Sequence, residues 1–340
     1  MWHCVDVSSL DRRPTQVDVA REAGVSRALV SIAYRGVKGI SPETREHIFE
    51  VAKQLGYRPN GVAARLASRY TATIGVFLFD LYNEVFADIF EGVRSVTAEE
   101  GRPLVLSVGS RDGSREREGL EMLQNARADV IIAAGLMLPD AAVTKVGETT
   151  PVVSASRSIP GIDSAFASDE AGAELAVAHL HELGHRRIAH IASPPRQGYL
   201  GRKAGYERSM LVRGLAPLVR EADYSQESAA VAAASLLDLA EPPTAIFANN
   251  DIAALGVIDV LSERGLRAGA DLSIVGYDDT PVARLPTVSL TSVDLHAQRL
   301  GAVAAELALR RLSEPAAAIE QRSIDPELIP RGSTTAPPRG

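Results

Sequence analysis

TQVDVAREAGVSRALVSIAYRG at residues 15–36, followed by SPETREHIFEVAKQLGYRPNGVAARLA at residues 41–67, frames the reading of the whole chain. Thr15 with Asp18 three residues later is a helix-start signal: a hydroxyl caps free backbone N–H groups and a carboxylate sits in the positive first turn. A helix over residues 17–23 follows. Gly24 and Val25 break it, because glycine tolerates the turn conformation and the valine drops into the core between helices. Ser26 then caps a second helix over residues 27–34, with Val30 and Ala33 toward the core and Arg27, Ala28, Ser31 and Arg35 on or near an exposed side. Ser41 and Pro42 open a third, since serine caps and proline suits the first helical position. Ile48, Val51, Ala52 and Leu55 recur there at helical spacing. Three short helices joined through a glycine-containing tight turn predict a DNA-reading module, although any small three-helix bundle shares that spacing.

Charge separates this head from the rest of the chain. Residues 1–70 carry 11 Lys/Arg against 7 Asp/Glu, a net of +4, which leaves 25 against 36, or −11, for residues 71–340. A basic head on an acidic body suits a phosphate-binding module joined to something that must not stick to DNA. The overall charge of −7 alone argues the other way.

At 340 residues the chain exceeds one ordinary core, so two or three domains are expected. One cysteine, Cys4, rules out an internal disulfide, and no apolar run reaches membrane-spanning length. The start, MWHCVDVSSLDRRP, lacks the basic-then-apolar order of a secretion signal, and no hydrophobic segment precedes Cys4 to mark a lipid anchor. A cytoplasmic protein with a disordered extension over residues 1–14 is the plain expectation. No phosphate loop, G-x-S-x-G elbow or H-E-x-x-H is present, so neither an enzyme nor a cofactor is expected.

From residue 72 onward, short β-branched apolar runs alternate with helical stretches. TIGVFLF, PLVLSV, DVIIAA and PVVSAS read as one set of strands, RIAHIA, AIFAN and LSIVGY as a second. Buried strands alternating with amphipathic helices give an α/β class with parallel sheets wrapped by helices, and two sets give two Rossmann-like lobes.

The residues themselves closely resemble the lactose/galactose-repressor (LacI) family of bacterial transcription regulators. The head carries T-x-x-D-V-A-x-x-A-G-V-S, then V-S, S-P-E-T-R-E-x-I, L-G-Y-R-P-N and A-x-x-L-A. The body adds Ile74-Gly75-Val76, LGHRRIAHI at residues 183–191, Arg202-x-x-Gly205-Tyr206, FANND at residues 247–251, SIVGYDD at residues 273–279 and Arg331-x-Ser333-Thr334. The resemblance implies a helix-turn-helix DNA-binding domain over residues 15–59, a hinge helix over residues 60–70, and an effector-binding and dimerisation domain over residues 71–340. That domain is of periplasmic-binding-protein type. Its first lobe covers about 71–164 and 293–322, its second about 165–292 and 323–335, with crossings near 165, 292 and 323.

The resemblance also implies which residues work. Arg202, Asn250 and Asp278 match positions that typically contact the effector, all at strand or loop ends where α/β folds place ligands. Asp169 matches a family aspartate, while Glu170 stands where an asparagine is common. Asn83-Glu84-Val85-Phe86 replaces a loop that usually carries a proline and a second aromatic, and Phe86 is a candidate to stack on a sugar face or to fill the core. The alternative for Asp278, Asp279, Asn250 and Asp251 is that they merely cap turns and helices. His179, His181, His185 and His190 cluster in the sequence, but Gly184 ends the helix before His185, and they are read as lobe-building rather than metal-binding.

On the DNA side, the start of the second helix is expected in the major groove, with Arg27 and Ala28 at the specificity positions and Leu29 beside them. Arg27 suits a bidentate pair with guanine, and Ala28 an apolar contact with a thymine methyl. Ile32 replaces an arginine that often reads a base. Ser26, Ser31, Arg45 and Asn60 are expected to position phosphates, and Thr15 and Ala63 complete the DNA-contacting set. Leu66 is the candidate wedge that kinks the minor groove at the operator centre, or else a residue that packs a linker helix.

The combined expectation is a homodimeric regulator, a repressor before an activator, that binds a pseudo-palindromic operator under the control of a small polar effector. A carbohydrate is the family default. The tail after Arg331 lacks leucine heptads, which favours a dimer over a tetramer. A sugar-capturing solute-binding protein is the rival from another class, opposed by the head before residue 70.

Overall fold

The computed structural model describes residues 14–35, 39–57, 72–194 and 200–337. The expected hinge helix over residues 60–70, with Asn60, Ala63 and Leu66, lies outside the described residues, as do residues 1–13 and Cys4. The chain forms two compact units, Met1–Thr71 and Ala72–Gly340.

In the first unit, α1 spans Gln16–Glu22, α2 Arg27–Arg35 and α3 Pro42–Gln54. Asp18 reaches back to the start of α1 and accepts from both the Thr15 backbone N–H (2.8 Å) and its hydroxyl (2.6 Å). Gly24 turns the chain at φ +65°, where a side chain would be strained. Ser26 accepts from the Leu29 N–H at 3.1 Å to start α2, and Ser41 accepts from the Thr44 N–H at 3.2 Å to start α3. Val19, Val30 and Ile48 are fully buried and join the three helices through Ala20, Ala33, Val51 and Ala52. Val25 packs at the edge of this core and stays partly exposed.

The second unit contains two six-stranded sheets. The first has strand order β11-β5-β4-β3-β1-β2, formed by β1 (Ile74–Leu78), β2 (Leu104–Val108), β3 (Val130–Ala134), β4 (Val152–Ser156), β5 (Asp163–Ala167) and β11 (Gln321–Ile324), all parallel. The second has order β12-β10-β9-β8-β6-β7, formed by β6 (Ile188–Ala192), β7 (Leu218–Glu221), β8 (Ala245–Ala248), β9 (Ser273–Tyr277), β10 (Thr291–Asp294) and β12 (Glu327–Ile329). Its one antiparallel pair is β10 with β12. β1, β3, β6, β8 and β9 are buried along their whole length, which explains their mainly apolar sequences, with His190 in β6 and Ser273 in β9 as buried polar exceptions.

The chain passes between the sheets three times: after Ala167, after Asp294 and after Ile324. Each passage falls slightly beyond positions 165, 292 and 323, because ladder pairing carries the strands further. Ala167 still pairs with Ile324 in the first sheet, and Asp294 with Glu327 in the second.

Helix Ala297–Ser313, which follows the second passage, packs on helix Val85–Glu99 in the first lobe. Their backbones touch through two glycines. A Cβ on Gly92 would lie 1.9 Å from the Gln298 carbonyl oxygen, and one on Gly301 the same distance from that of Ile89. This seam anchors the first-lobe wall of the space between the lobes.

Candidate functional site

A cleft between the two lobes encloses about 710 Å³ of atom-free space, part of it open to solvent. It gathers Phe86, Asp169, Arg202, Asn250 and Asp278, five residues far apart in the sequence. β-strand ends supply most of them, because each strand delivers its following loop to the same edge of its sheet.

Arg202 is the hub. It sits on helix Leu200–Val212 with only 8% of its side chain exposed. Its Nε donates to Asp169 Oδ1 at 2.9 Å, its Nη1 to the Asn249 carbonyl oxygen at 2.5 Å, and its Nη2 lies 3.6 Å from Asp278 Oδ1. The guanidinium also stacks on the buried Tyr277 ring, 3.6 Å from its centroid. Burial disfavours the cation, but the carboxylates of Asp169 and Asp278 more than offset this, and its pKa lies above the ordinary arginine value.

Asp278 follows β9 in the left-handed region, at φ 99°. Such a backbone costs about 1–3 kcal/mol in a non-glycine residue and persists only where surroundings fix it. Here the Asp278 N–H donates to the Val293 carbonyl at 2.9 Å and the Asp279 N–H to Ser292 Oγ at 3.1 Å. Asp279, also left-handed at φ 48°, is held by Arg284 and Arg331 and serves the turn. Asp278 instead faces the cleft, and Asn83 of the first lobe donates to its Oδ2 at 2.9 Å. Burial pushes the Asp278 carboxyl up to about 6, with Arg202 and the Asn83 hydrogen bond restraining the rise.

Behind it, Asp251 is fully enclosed. Burial, with the nearby Asp278 charge, pushes it up to about 7. It accepts from Ser292 Oγ (2.6 Å), the Thr280 N–H (2.7 Å) and Thr280 Oγ1 (2.9 Å). Asn250 caps helix Asp251–Glu263, its Oδ1 accepting from the Ala253 N–H at 2.9 Å, while also lining the cleft. The capping role therefore holds for Asn250 without excluding it from the site, and Asp251 fixes the turn at Thr280.

Phe86 is 7% exposed, packs 5.9 Å from Phe79 and lines the cleft. Glu170 pairs with Arg208 and is not among the residues that line the cleft. Nothing local in the sequence marks Asn83 as a bridge between lobes, Asn249 as part of the floor, or Leu295 and Leu300 as wall residues. Only the turn-forming character of Asn83, whose Oδ1 accepts from the Val85 N–H two residues on at 3.1 Å, is open to a sequence argument.

The four clustered histidines part company in space. His179 bonds Thr334, and His185 bonds Thr244 with Ser273 or the Thr335 carbonyl, so both tie the C-terminal segment to the second lobe. His190 stacks on Phe247 at 4.6 Å, and burial pushes its pKa down to about 4. Among the described residues no group of three or more metal-ligating side chains converges.

On the head, Ser26, Arg27 and Ala28 are exposed at the start of α2. Leu29 and Ser31 are half-buried, and Leu29 packs partly against the head core. Thr15 is engaged by Asp18, and Arg45 is half-buried on α3.

Residues 15–60 match the model for bacterial regulatory proteins of the lacI family, and residues 177–334 match that for the periplasmic binding protein-like domain. Catabolite control protein A of Priestia megaterium is 33% identical over 308 residues, covering 88% of this chain and 93% of its own. The lac repressor dimer bound to operator and the anti-inducer ONPF superposes with a TM-score of 0.81 at 30% identity, covering 96% of this chain and all of that one. A CelR–cellobiose complex gives a TM-score of 0.70 at 29% identity over 94% of this chain and all of its own.

Proposed function

The chain belongs to the lacI family of bacterial regulatory proteins, and we propose that it is a dimeric repressor whose hold on operator DNA is set by a hydroxyl-bearing small molecule, a carbohydrate, bound between the lobes. The chain is a DNA-binding transcriptional regulator, and the relatives it matches are regulators rather than enzymes. In this reading residues 15–59 read DNA, residues 60–70 form a hinge, and residues 71–340 bind effector and dimerise. The protein then acts in the cytoplasm, where bacterial operator DNA lies. No helix among the described residues is long and apolar enough to cross a membrane.

The observation that carries the effector reading is the Arg202 cluster: a buried guanidinium between Asp169 and Asp278 at the floor of an interlobe cleft. Fixed carboxylates and amides of this kind hold hydroxyls by paired, charge-assisted hydrogen bonds. The CelR structure contains cellobiose and the lac repressor structure ONPF, which supports a sugar-like ligand for this chain too. Asn83 and Asp278 bridge the lobes, so a ligand that competes for Asp278 resets their spacing. A preference of a few kcal/mol for one lobe arrangement is enough to switch occupancy of DNA.

On DNA, Arg27 and Ala28 read base edges, Ser26, Ser31, Arg45 and Asn60 hold phosphates, Thr15 and Ala63 support them, and Leu66 wedges the operator centre. The test is selection of a binding site from random DNA, then fluorescence anisotropy against the selected and a scrambled duplex across salt. A specific regulator prefers its site by a factor on the order of 1,000 or more, with a steep salt dependence for both duplexes. Equal affinity for the two rejects the reading.

A further inference from the structure

The cleft has two chemically different walls. On the second-lobe side stand Asp169, Arg202, Asn249, Asn250 and Asp278, with Tyr224, which packs on Phe79, and Ile252 at their margin. The first-lobe side is mainly Phe79, Val85, Phe86, Ile89 and Leu300, continued by Leu295 at the second passage. The three polar residues of the first lobe that reach the cleft are already engaged. Asp80 accepts from the Tyr82 N–H (2.9 Å) and Arg111 (3.0 Å), Ser156 Oγ accepts from the Gly135 N–H (3.1 Å), and Asn83 holds Val85 and Asp278. A hydroxyl pressed against this wall loses its water and gains little in return.

The polar floor is also selective in sign. Among the described residues its one cation, Arg202, is consumed by Asp169, the Asn249 carbonyl and Asp278, with Asp251 buried behind them. What remains is the oxygens of two carboxylates against one guanidinium, the buried Asn249 Oδ1, which has no hydrogen-bond partner, and the side-chain amide N–H groups of Asn249 and Asn250. Such a floor welcomes O–H and N–H donors and repels anions.

Resting on the effector reading above, we propose that the natural ligand is an uncharged, two-faced molecule: a hydroxylated sugar ring whose donors meet Asp169, Asn249 and Asp278, joined to an apolar planar group that lies against Phe79, Phe86 and Leu300. Nucleosides and aryl glycosides share this chemistry. Bare sugars lack the apolar half, and phosphorylated sugars carry the wrong charge.

Two matched sets of probes distinguish the sources: ribose, adenosine and AMP, and glucose, phenyl β-glucoside and glucose phosphorylated on its hydroxymethyl group. Thermal shift and titration calorimetry on the full-length protein read their binding. In at least one set the ring-bearing member binds about 30-fold more tightly than its bare sugar, about 2 kcal/mol at 1.4 kcal/mol per tenfold, and the phosphorylated member gives no shift. Phe86→Leu, which keeps an apolar side chain of similar bulk, reduces that preference to less than about fivefold. Bare sugar binding as tightly as its ring-bearing mate, binding of a phosphorylated probe, or no response to any of the six overturns the inference. Arg202→Ala separates the two levels. Bare-sugar binding that disappears in Arg202→Ala keeps the cleft as effector site while rejecting the two-faced ligand, whereas binding indifferent to Arg202→Ala rejects the cleft itself.

Discussion

Replacing Arg202 with methionine keeps much of the side chain's length and removes its guanidinium, so three groups lose their partner at once. Asp169 Oδ1 at 2.9 Å, the Asn249 carbonyl at 2.5 Å and Asp278 Oδ1 at 3.6 Å are left facing one another. Breaking a buried ion pair from one side costs about 3–5 kcal/mol, because the surviving charge stays buried without compensation. Asp169 is 22% exposed and regains some water, which places the loss near the lower end, about 3 kcal/mol. Asp278, 4% exposed, cannot do the same. Its carboxyl, already pushed up to about 6 by burial and restrained by Arg202, rises further when the cation goes.

Linkage between protonation and folding sets the sign. An acid whose folded pKa lies above its unfolded value, about 3.9, costs stability once it ionises. The deficit of Arg202→Met therefore grows as pH rises through the folded pKa of Asp278 and shrinks below it. Urea unfolding of the full chain at about pH 8 and about pH 5 should give deficits that differ by about 1–2 kcal/mol, the larger at the higher pH. A loss below about 1 kcal/mol at the higher pH, or the same loss at both, refutes the reasoning that Arg202 is there to neutralise buried carboxylates.

Asp251 extends the same logic to the unaltered fold: burial lifts it to about 7, so stability should fall as pH rises from about 4 toward about 7. Asp251→Asn should flatten that slope, and an unchanged slope in urea titrations assigns it to other groups. Gly301→Ala forces a Cβ to within 1.9 Å of the Ile89 carbonyl oxygen. Overpacking of this sort costs about 1–3 kcal/mol or more, so a melting temperature equal to that of the unaltered protein contradicts the close helix contact. Arg27→Ala should cost about 1–3 kcal/mol on the selected operator and relax discrimination at one base position; an equal loss on scrambled DNA makes Arg27 a phosphate contact instead.

Legibility in the sequence depended on how local each signal is. β1, β3, β6, β8 and β9 stand out because burial on both faces requires mainly apolar runs, such as VIIAA in β3. β5, β7, β10, β11 and β12 carry no such run. DSAFA and TSVD include polar residues that bond inside the lobe, as Asp163 does to Arg311, while QRSI of β11 and ELI of β12 lie at sheet edges and, apart from Ile324, stay exposed or half-buried. Helix caps at Thr15, Ser26 and Ser41 are readable because their partners lie three residues away. The bridge from Asn83 to Asp278 spans 195 residues, and the bond from Arg202 to Asn249 spans 47. No window of sequence contains either. The division of the cleft into an apolar and a polar wall is equally hidden, since Leu300 reaches it only after the chain has crossed between lobes twice.

Whether occupancy of the Arg202 cleft sets affinity for operator DNA is read by one comparison. It is the operator Kd of the unaltered protein and of Arg202→Ala, by fluorescence anisotropy, with and without a saturating amount of whichever of the six probes binds most tightly. A cleft that controls the head gives a change of about tenfold or more in the unaltered protein, about 1.4 kcal/mol of coupling, and none in Arg202→Ala. The same change in both proteins, or no change in either, contradicts that control.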